Sequence, residues 1–385
     1  MKLFLIAGEA SGDALGAALM AGLKTLAPGM GFPGIGFHGV GGPGMEAEGL
    51  KSRFPMEELS VMGLVEILPK YRQLKRRIAE TAAAVAELAP DALVTIDSPD
   101  FCLRVAAAAR ALRPELRTMH YVAPTVWAWR PGRAAKMAPV IDHVLALFPF
   151  EPPYMEAAGM SCDFVGHPVV AAPLGTAAEA EAFRRAHMIG ADQPLLLCLP
   201  GSRRSEVARL APCFEEAIAR LRDREPRLRV VIPTVRGVSA LVRGIVAGWK
   251  VVPLVLEAAE DKRAAFAAAD IALAASGTVS LELAANRVPM VIAHDFNWLT
   301  WQMMKRAALI DTVTLVNIVS ETCAVPEFLG PACQPGPIAA ALARLVDDED
   351  ARAAQLSAMA VTMGRLGQGG EAPGLRAARS VLAHL

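Results

Sequence analysis

Lys2-Leu3-Phe4-Leu5-Ile6-Ala7-Gly8-Glu9-Ala10-Ser11-Gly12-Asp13 opens the chain, and an Ala-rich helical pattern follows directly. The run from Leu3 to Ala7 is apolar without alternation, so both faces of this strand are expected to be buried, as in a parallel sheet covered by helices on each side. The small residues after it then form a loop at the carboxyl edge of the sheet, where open α/β folds bind ligands. The same pattern recurs outward. Strands are expected at Gly34 to Gly39, Ala92 to Asp97, Arg117 to Val122 and His143 to Phe148. A second series is expected at Leu195 to Leu199, Arg229 to Pro233, Val251 to Leu254, Ile271 to Ala274 and Met290 to Ala293. Apolar strands alternating with longer helices mean an α/β chain with two doubly wound parallel-sheet units. Between them lies a stretch with His167-Pro168, Pro173 and Gly175, suited to a connection. The expected division is 1–170, then 171–365, with a C-terminal helical segment 366–385 that crosses back to the first unit.

Composition removes several function classes. The 385 residues carry 39 Lys+Arg and 39 Asp+Glu. Splitting the chain after Val170 leaves 16 basic and 17 acidic residues before it and 23 and 22 after it, so neither half has the basic footprint of a nucleic-acid binder. The most apolar stretches are interrupted by Asp142, Asp270, Glu282 and Arg287, and Glu9 and Asp13 cut the N-terminal apolar run short. Neither a membrane span nor a signal peptide is expected, and the reading is cytoplasmic. The six cysteines show no Cys-x-x-Cys spacing and most sit among apolar neighbours, which reads as reduced, packed thiols with no metal.

The candidate chemistry lies in loops. Glu9, Ser11, Gly12 and Asp13 occupy the loop after the first strand, where a ligand reaches backbone; the plainer reading is a tight turn with Ser11 or Asp13 capping the helix. Asp97 ends the strand Ala92 to Ile96 and faces the crevice, placed for general-base work, against the plainer reading of an Asx turn. In the second half, Pro200-Gly201-Ser202-Arg203 closes a strand and opens a helix, and Ser276-Gly277-Thr278 repeats the arrangement. Backbone N–H groups at helix starts together with an arginine suit a diphosphate. Glu282, one turn further in, suits a ribose diol, unless it is simply a solvated helix residue. Gly39, Gly41 and Gly44 match the dinucleotide pattern but follow the second strand, so a turn is favoured over a nicotinamide site. His120 and His143 read as core residues, and no serine elbow or His-Glu-x-x-His is present. Finally, Met62, Leu64, Val65, Ile67 and Leu68 stand beside Lys70, Arg72, Lys75, Arg76 and Arg77, an apolar and basic mixture suited to an anionic lipid surface. A buried helix start with a solvated basic end is the plainer alternative. The stretch containing Phe296, Trp298, Trp301, Met303, Met304, Lys305 and Arg306 is similarly ambiguous.

These motifs together resemble a known family. Gly8 to Asp13, Met62-Gly63, Ile96-Asp97-Ser98-Pro99-Asp100-Phe101, Val126-Trp127-Ala128-Trp129-Arg130, Leu199 to Arg203 and Ala275 to Thr278 look, in order and over nearly the whole chain, like the bacterial lipid A disaccharide synthases. The resemblance implies a GT-B glycosyltransferase of two Rossmann-like domains facing a cleft, the first binding the acceptor and the second the UDP-sugar. It implies transfer of 2,3-diacylglucosamine from UDP-2,3-diacylglucosamine to the 6-hydroxyl of 2,3-diacylglucosamine 1-phosphate, giving a β-1,6 disaccharide and UDP. It also implies a peripheral place at lipid on the cytoplasmic face of the inner membrane, and leaves homo-oligomer formation open.

By similarity Asp97 is the proposed general base, Arg203 a diphosphate contact and Asn317 the asparagine of a Pro-Asn-Leu-Leu-like motif, here Val316-Asn317-Ile318-Val319. Further departures are His294-Asp295 in place of Tyr followed by Lys or Arg, and Gly330 in place of Gln. Asp97, Glu9 and Arg203 form the expected catalytic set. The acceptor hydroxyl loses its proton to Asp97 as it attacks from the face opposite UDP, inverting the anomeric centre, while Arg203 and the serine-glycine loops steady the leaving diphosphate. No cofactor is required, and the sequence is read as having no Asp-x-Asp pair to hold a divalent ion. The competing readings are another UDP-sugar GT-B enzyme, such as a lipid-linked glycosyltransferase or a UDP-sugar epimerase, a nicotinamide oxidoreductase, and a non-catalytic sugar-nucleotide sensor.

Overall fold

The computed structural model describes residues 1–31, 34–59 and 64–385. The chain divides into two compact units, Met1–Ala171 with Leu366–Leu385, and Ala172–Arg365. The first holds β1 (Lys2–Ala7), β2 (Gly36–Val40), β3 (Lys51–Ser52), β4 (Ala92–Ile96), β5 (Thr118–Tyr121), β6 (His143–Ala146) and β7 (Ser161–Phe164). The second holds β8 (Leu195–Leu199), β9 (Arg229–Pro233), β10 (Leu254–Leu256), β11 (Ile271–Ala275), β12 (Met290–His294) and β13 (Glu327–Leu329). Their spatial orders are β3-β2-β1-β4-β5-β6-β7 and β10-β9-β8-β11-β12-β13, and all the pairings are parallel. In each sheet the order reverses beside the first strand of its unit. The switch points therefore fall between β1 and β4 and between β8 and β11, the places where such sheets open a crevice.

Central strands are buried along their whole length: Ala92 to Ile96 in β4, Leu195 to Leu199 in β8 and Ile271 to Ala275 in β11. Their apolar runs show no alternation because helices cover both faces. Around the first sheet, Phe4, Ile6, Val85, Leu93, Phe101, Val105 and Val144 share one core, and around the second, Cys198, Phe214, Ile232, Leu273, Val291 and Leu342 share another.

The helix Ala10–Leu26 packs closely on the C-terminal helix Pro373–Ala383 through two glycines; a Cβ on Gly22 would stand 2.5 Å from the Gly374 carbonyl oxygen. The same C-terminal helix is tied to the sheet by a hydrogen-bonded cluster. His143 bonds Ser161 and Ser380 through its two ring nitrogens, at 2.8 Å each, Ser380 donates to Asp163 at 2.6 Å, and His384 stacks on His143 with ring centroids 3.7 Å apart. This gives buried His143 the structural place expected of it.

No helix among the described residues is long and apolar enough to cross a membrane. The helix Leu64–Leu88 carries the basic residues of the expected lipid-facing segment. Met62 lies outside the described residues, and so do the side chains of Leu64, Val65, Ile67, Leu68 and Lys70, as well as those of Trp298, Met304 and Lys305. One member needs correcting. Arg77 is not a free surface charge: its guanidinium grips both Glu58 oxygens, from Nε at 2.8 Å and Nη2 at 2.9 Å, and lies over the Phe54 ring. Arg72, Lys75 and Arg76 are exposed.

Candidate active site

The first switch point is built from strained backbone. Ladder bonds run past the strand ends, Asp97 N–H donating to Tyr121 O at 2.9 Å and Val122 N–H to Leu145 O at 3.0 Å. The chain then turns with positive φ at Asp97 (53°), Ser98 (43°) and Val122 (86°). Such a φ is uncommon for any residue with a Cβ and a genuine outlier for a β-branched one. Each costs about 1–3 kcal/mol and persists where the surrounding structure imposes it, commonly at active sites. The result is a recess of about 170 Å³ whose wall includes Asp97, His120, Val122 and Arg133, with Leu103 and Met137 supplying apolar surface.

Ser11 lies not in a loop but in the first turn of the helix Ala10–Leu26, and its hydroxyl points at Asp97, Oγ to Oδ2 3.5 Å. Glu9 stands at the start of the same helix as its N-cap residue, half-buried. Gly12 lets that helix lie against β4: a Cβ there would be 3.3 Å from the Ile96 carbonyl oxygen.

Asp13 does something else. Both its oxygens are spent on backbone, accepting from Gly42 N (2.8 Å), Gly44 N (2.8 Å) and Met45 N (3.0 Å), and the residue is 7% exposed. It is a brace for the turn 41–45, so the expected substrate contact is corrected. Close packing explains the glycine triplet. A Cβ at Gly39, where φ is 136°, would meet the Leu5 carbonyl oxygen at 1.8 Å, and one at Gly44 would meet Asp13 Oδ2 at 2.9 Å. Gly39 lets β2 lie close against β1, and Gly44 sits against a carboxylate that takes the place a pyrophosphate would need.

The sequence singled out neither Glu151, whose Trp127 partner is 24 residues away, nor Arg133, which only the recess marks. Trp127 donates from Nε1 to Glu151 at 3.1 Å, and Glu151 accepts from Leu147 N at 3.1 Å and Phe148 N at 3.0 Å. This pins the Trp127 loop to the sheet; burial pushes the Glu151 carboxyl up to about 7. Arg133 lines the recess half-buried, and among the described residues its guanidinium has no hydrogen-bond or carboxylate partner.

In the second unit, the loops Gly201 to Arg203 and Ser276 to Thr278 follow β8 and β11 and so flank the second switch point. Positive φ at Gly201 (113°) and Gly277 (150°) makes both turns. Ser202, Arg203, Gly277 and Thr278 are exposed, and Ser276 is half-buried. The first cradle is already occupied by a side chain. Glu206 Oε2 accepts from Ser202 N and Arg203 N at 3.3 Å each, and Oε1 accepts from Arg203 Nη1 at 2.8 Å. Its carboxylate holds the position of an anion at a helix N-terminus. Glu282 pairs with Lys262 at 2.6 Å, so a diol would have to compete with that ammonium.

Asn317 is a further correction. It is 2% exposed, and its amide is consumed inside the protein, donating to Val325 O at 2.9 Å and accepting from Val325 N at 3.0 Å. It braces the segment from Thr312 to Val325 and has no donor group left to aim at a ligand. The Gly330 departure has a steric cause: the Trp301 ring lies where a side chain would be, 2.7 Å from a Cβ built there. The expected absence of an Asp-x-Asp pair is corrected by Asp348-Glu349-Asp350. Asp348 accepts from Ala351 N at 3.0 Å and pairs with Arg344, so it caps the following helix.

Two doubly wound parallel α/β units, each with its own switch point, are the architecture of the GT-B fold. Solved structures of similar fold include a UDP-GlcNAc 2-epimerase from Neisseria meningitidis bound to UDP-GlcNAc and a putative UDP-N-acetylglucosamine 2-epimerase from Listeria monocytogenes. Their TM-scores are 0.64 and 0.62, with 11% and 14% identity, covering 100% and 99% of this chain and 99% and 95% of theirs. A family model described as lipid-A-disaccharide synthetase matches residues 3–369. Lipid-A-disaccharide synthases of Ruegeria pomeroyi and Rhodospirillum centenum are 60% and 48% identical, covering 100% and 99% of this chain and 96% and 94% of theirs. The chain belongs to the lipid-A-disaccharide synthase family and is a glycosyltransferase of lipid A biosynthesis. The oxidoreductase and sensor readings are thereby set aside.

Proposed function

We propose that this enzyme transfers 2,3-diacylglucosamine from UDP-2,3-diacylglucosamine to the 6-hydroxyl of 2,3-diacylglucosamine 1-phosphate, with inversion, giving the β-1,6 disaccharide and UDP. The observation that carries the reading is Asp97, held at the switch point of the first sheet on strained backbone and opening onto a recess. In this account the first unit binds the acceptor. Its 6-hydroxyl gives its proton to the Asp97 carboxylate as the oxygen attacks the anomeric carbon, and the bond from that carbon to the diphosphate breaks on the opposite face. The second unit binds UDP through Gly201 to Arg203 and Ser276 to Thr278, and Arg203 leaves Glu206 to meet the diphosphate whose negative charge grows as the bond breaks.

Both substrates carry acyl chains, so the enzyme works at a membrane surface. The exposed Arg72, Lys75 and Arg76 on the helix Leu64–Leu88 support an anionic-lipid contact there, on the cytoplasmic side where UDP-sugars are made. The test is direct. Purified protein incubated with both diacyl sugars is expected to release UDP and a disaccharide phosphate in equal amounts; UDP release without disaccharide, or epimerised donor, would refute the reading.

A further inference from the structure

We propose that Arg133 binds the phosphate of the acceptor, so that the recess beside Asp97 selects a sugar carrying both a free hydroxyl and an anionic group. This inference rests on the function proposed above and adds the recognition element that function lacks.

The recess has two charged walls of opposite sign. Asp97 offers a carboxylate to a hydroxyl, and Arg133 offers a half-buried guanidinium that has no counter-ion among the described residues. A partly desolvated arginine left unpaired in a cavity is costly unless a ligand supplies the anion, and a guanidinium fork matches a phosphate in geometry as well as charge. The third polar wall is His120, 2% exposed. Its Nδ1 lies 2.8 Å from Thr95 Oγ1, and that hydroxyl donates onward to Met119 O at 3.1 Å. The ring proton is therefore assigned to Nδ1, leaving Nε2 as an acceptor with no partner in the described protein. Burial, with Arg133 adding to it, brings this histidine down to about 4, so at neutral pH it is uncharged and does not compete for the phosphate.

The anion is assigned to the acceptor because the donor's diphosphate has its own loops in the other unit. The apolar surface of Leu103, Val122 and Met137 suits the body of a sugar rather than a second nucleotide phosphate.

The experiment compares two acceptors, 2,3-diacylglucosamine 1-phosphate and the same sugar without phosphate, in the parent enzyme, Arg133→Ala and Arg133→Lys. The parent enzyme is expected to prefer the phosphorylated acceptor. Arg133→Ala is expected to raise KM for it about tenfold or more, as for loss of a charge-assisted hydrogen bond, with a smaller change in kcat. It should leave KM for the unphosphorylated sugar and the affinity for UDP unchanged. Arg133→Lys should recover part of the preference, which a merely structural role would not produce. Absence of any turnover in the parent enzyme overturns the function and this inference together. Turnover with an undiminished phosphate preference in Arg133→Ala overturns the inference alone. So does a rise in KM for the donor in place of the acceptor, which would assign the guanidinium to the diphosphate.

Discussion

Among single residues, groups that face a ligand stand apart from groups the fold has consumed. Asp97, Arg133 and Arg203 keep side chains open to a ligand, whereas Asp13 and Asn317 are saturated by backbone. Arg203 is the intermediate case, since Glu206 holds it in the unliganded protein. Removing it deletes a charge-assisted contact but also frees the cradle from one of Glu206's bonds. Arg203→Ala is accordingly expected to weaken UDP by about 1.5 to 3 kcal/mol, the range for hydrogen bonds to charged groups, and uridine far less. Calorimetric titration of both ligands checks this; equal losses would place Arg203 away from the diphosphate.

Sequence types pointed to the loops that follow β1, β4, β8 and β11 but could not say which of their members the fold consumes. The partners of Asp13, Glu282 and Asn317 lie 29, 20 and 8 residues away on other elements. Arg133 and His120 carried no motif at all, because what marks them is a shared cavity.

At the scale of elements, the central strands were legible and the edges were not. Leu195–Leu199 and Arg229–Pro233 stand where their apolar runs placed them. The strands the sequence did not reveal, Lys51–Ser52, Ser161–Phe164 and Glu327–Leu329, are all sheet edges, and Val251 to Leu254 moved to the edge strand Leu254–Leu256 beyond Pro253. An edge strand is short and polar on its open sides, so it lacks the continuous apolar run by which a central strand is recognised.

The helix Leu64–Leu88 raises the membrane question at this scale. Because Arg77 holds Glu58, replacing it would disturb packing, and the informative variant changes Arg72, Lys75 and Arg76 to Ser together. Each basic side chain near an anionic surface adds about 1 kcal/mol. Co-sedimentation with anionic vesicles is expected to fall in that variant, with UDP affinity unaltered. Undiminished sedimentation would turn attention to the segment around Trp301.

For the whole molecule, buried titratable groups set the response to pH. Burial brings His120, His143 and His167 from the ordinary 6.5 down to about 4. Their neutral forms stabilise the folded state fully above about pH 6.5, and that contribution is lost as pH falls towards 4. Glu151 works the other way. Its carboxyl, raised from 4.5 to about 7, favours the folded state at low pH and loses that advantage as pH rises between those values. Three groups outweigh one, so the melting temperature is expected to drop between pH 6.5 and pH 4.5. A rising melting temperature over that window would mean Glu151 dominates.

Everything above turns on Asp97 activating the acceptor hydroxyl in the first unit. Asn tolerates positive φ better than other residues with a Cβ, so Asp97→Asn keeps the strained turn while removing the base. The measurement is turnover of this variant with saturating UDP-2,3-diacylglucosamine and 2,3-diacylglucosamine 1-phosphate. The expected result is kcat lower by about 10² or more with UDP affinity unchanged. A folded Asp97→Asn enzyme that turns over at close to the parent rate would contradict it.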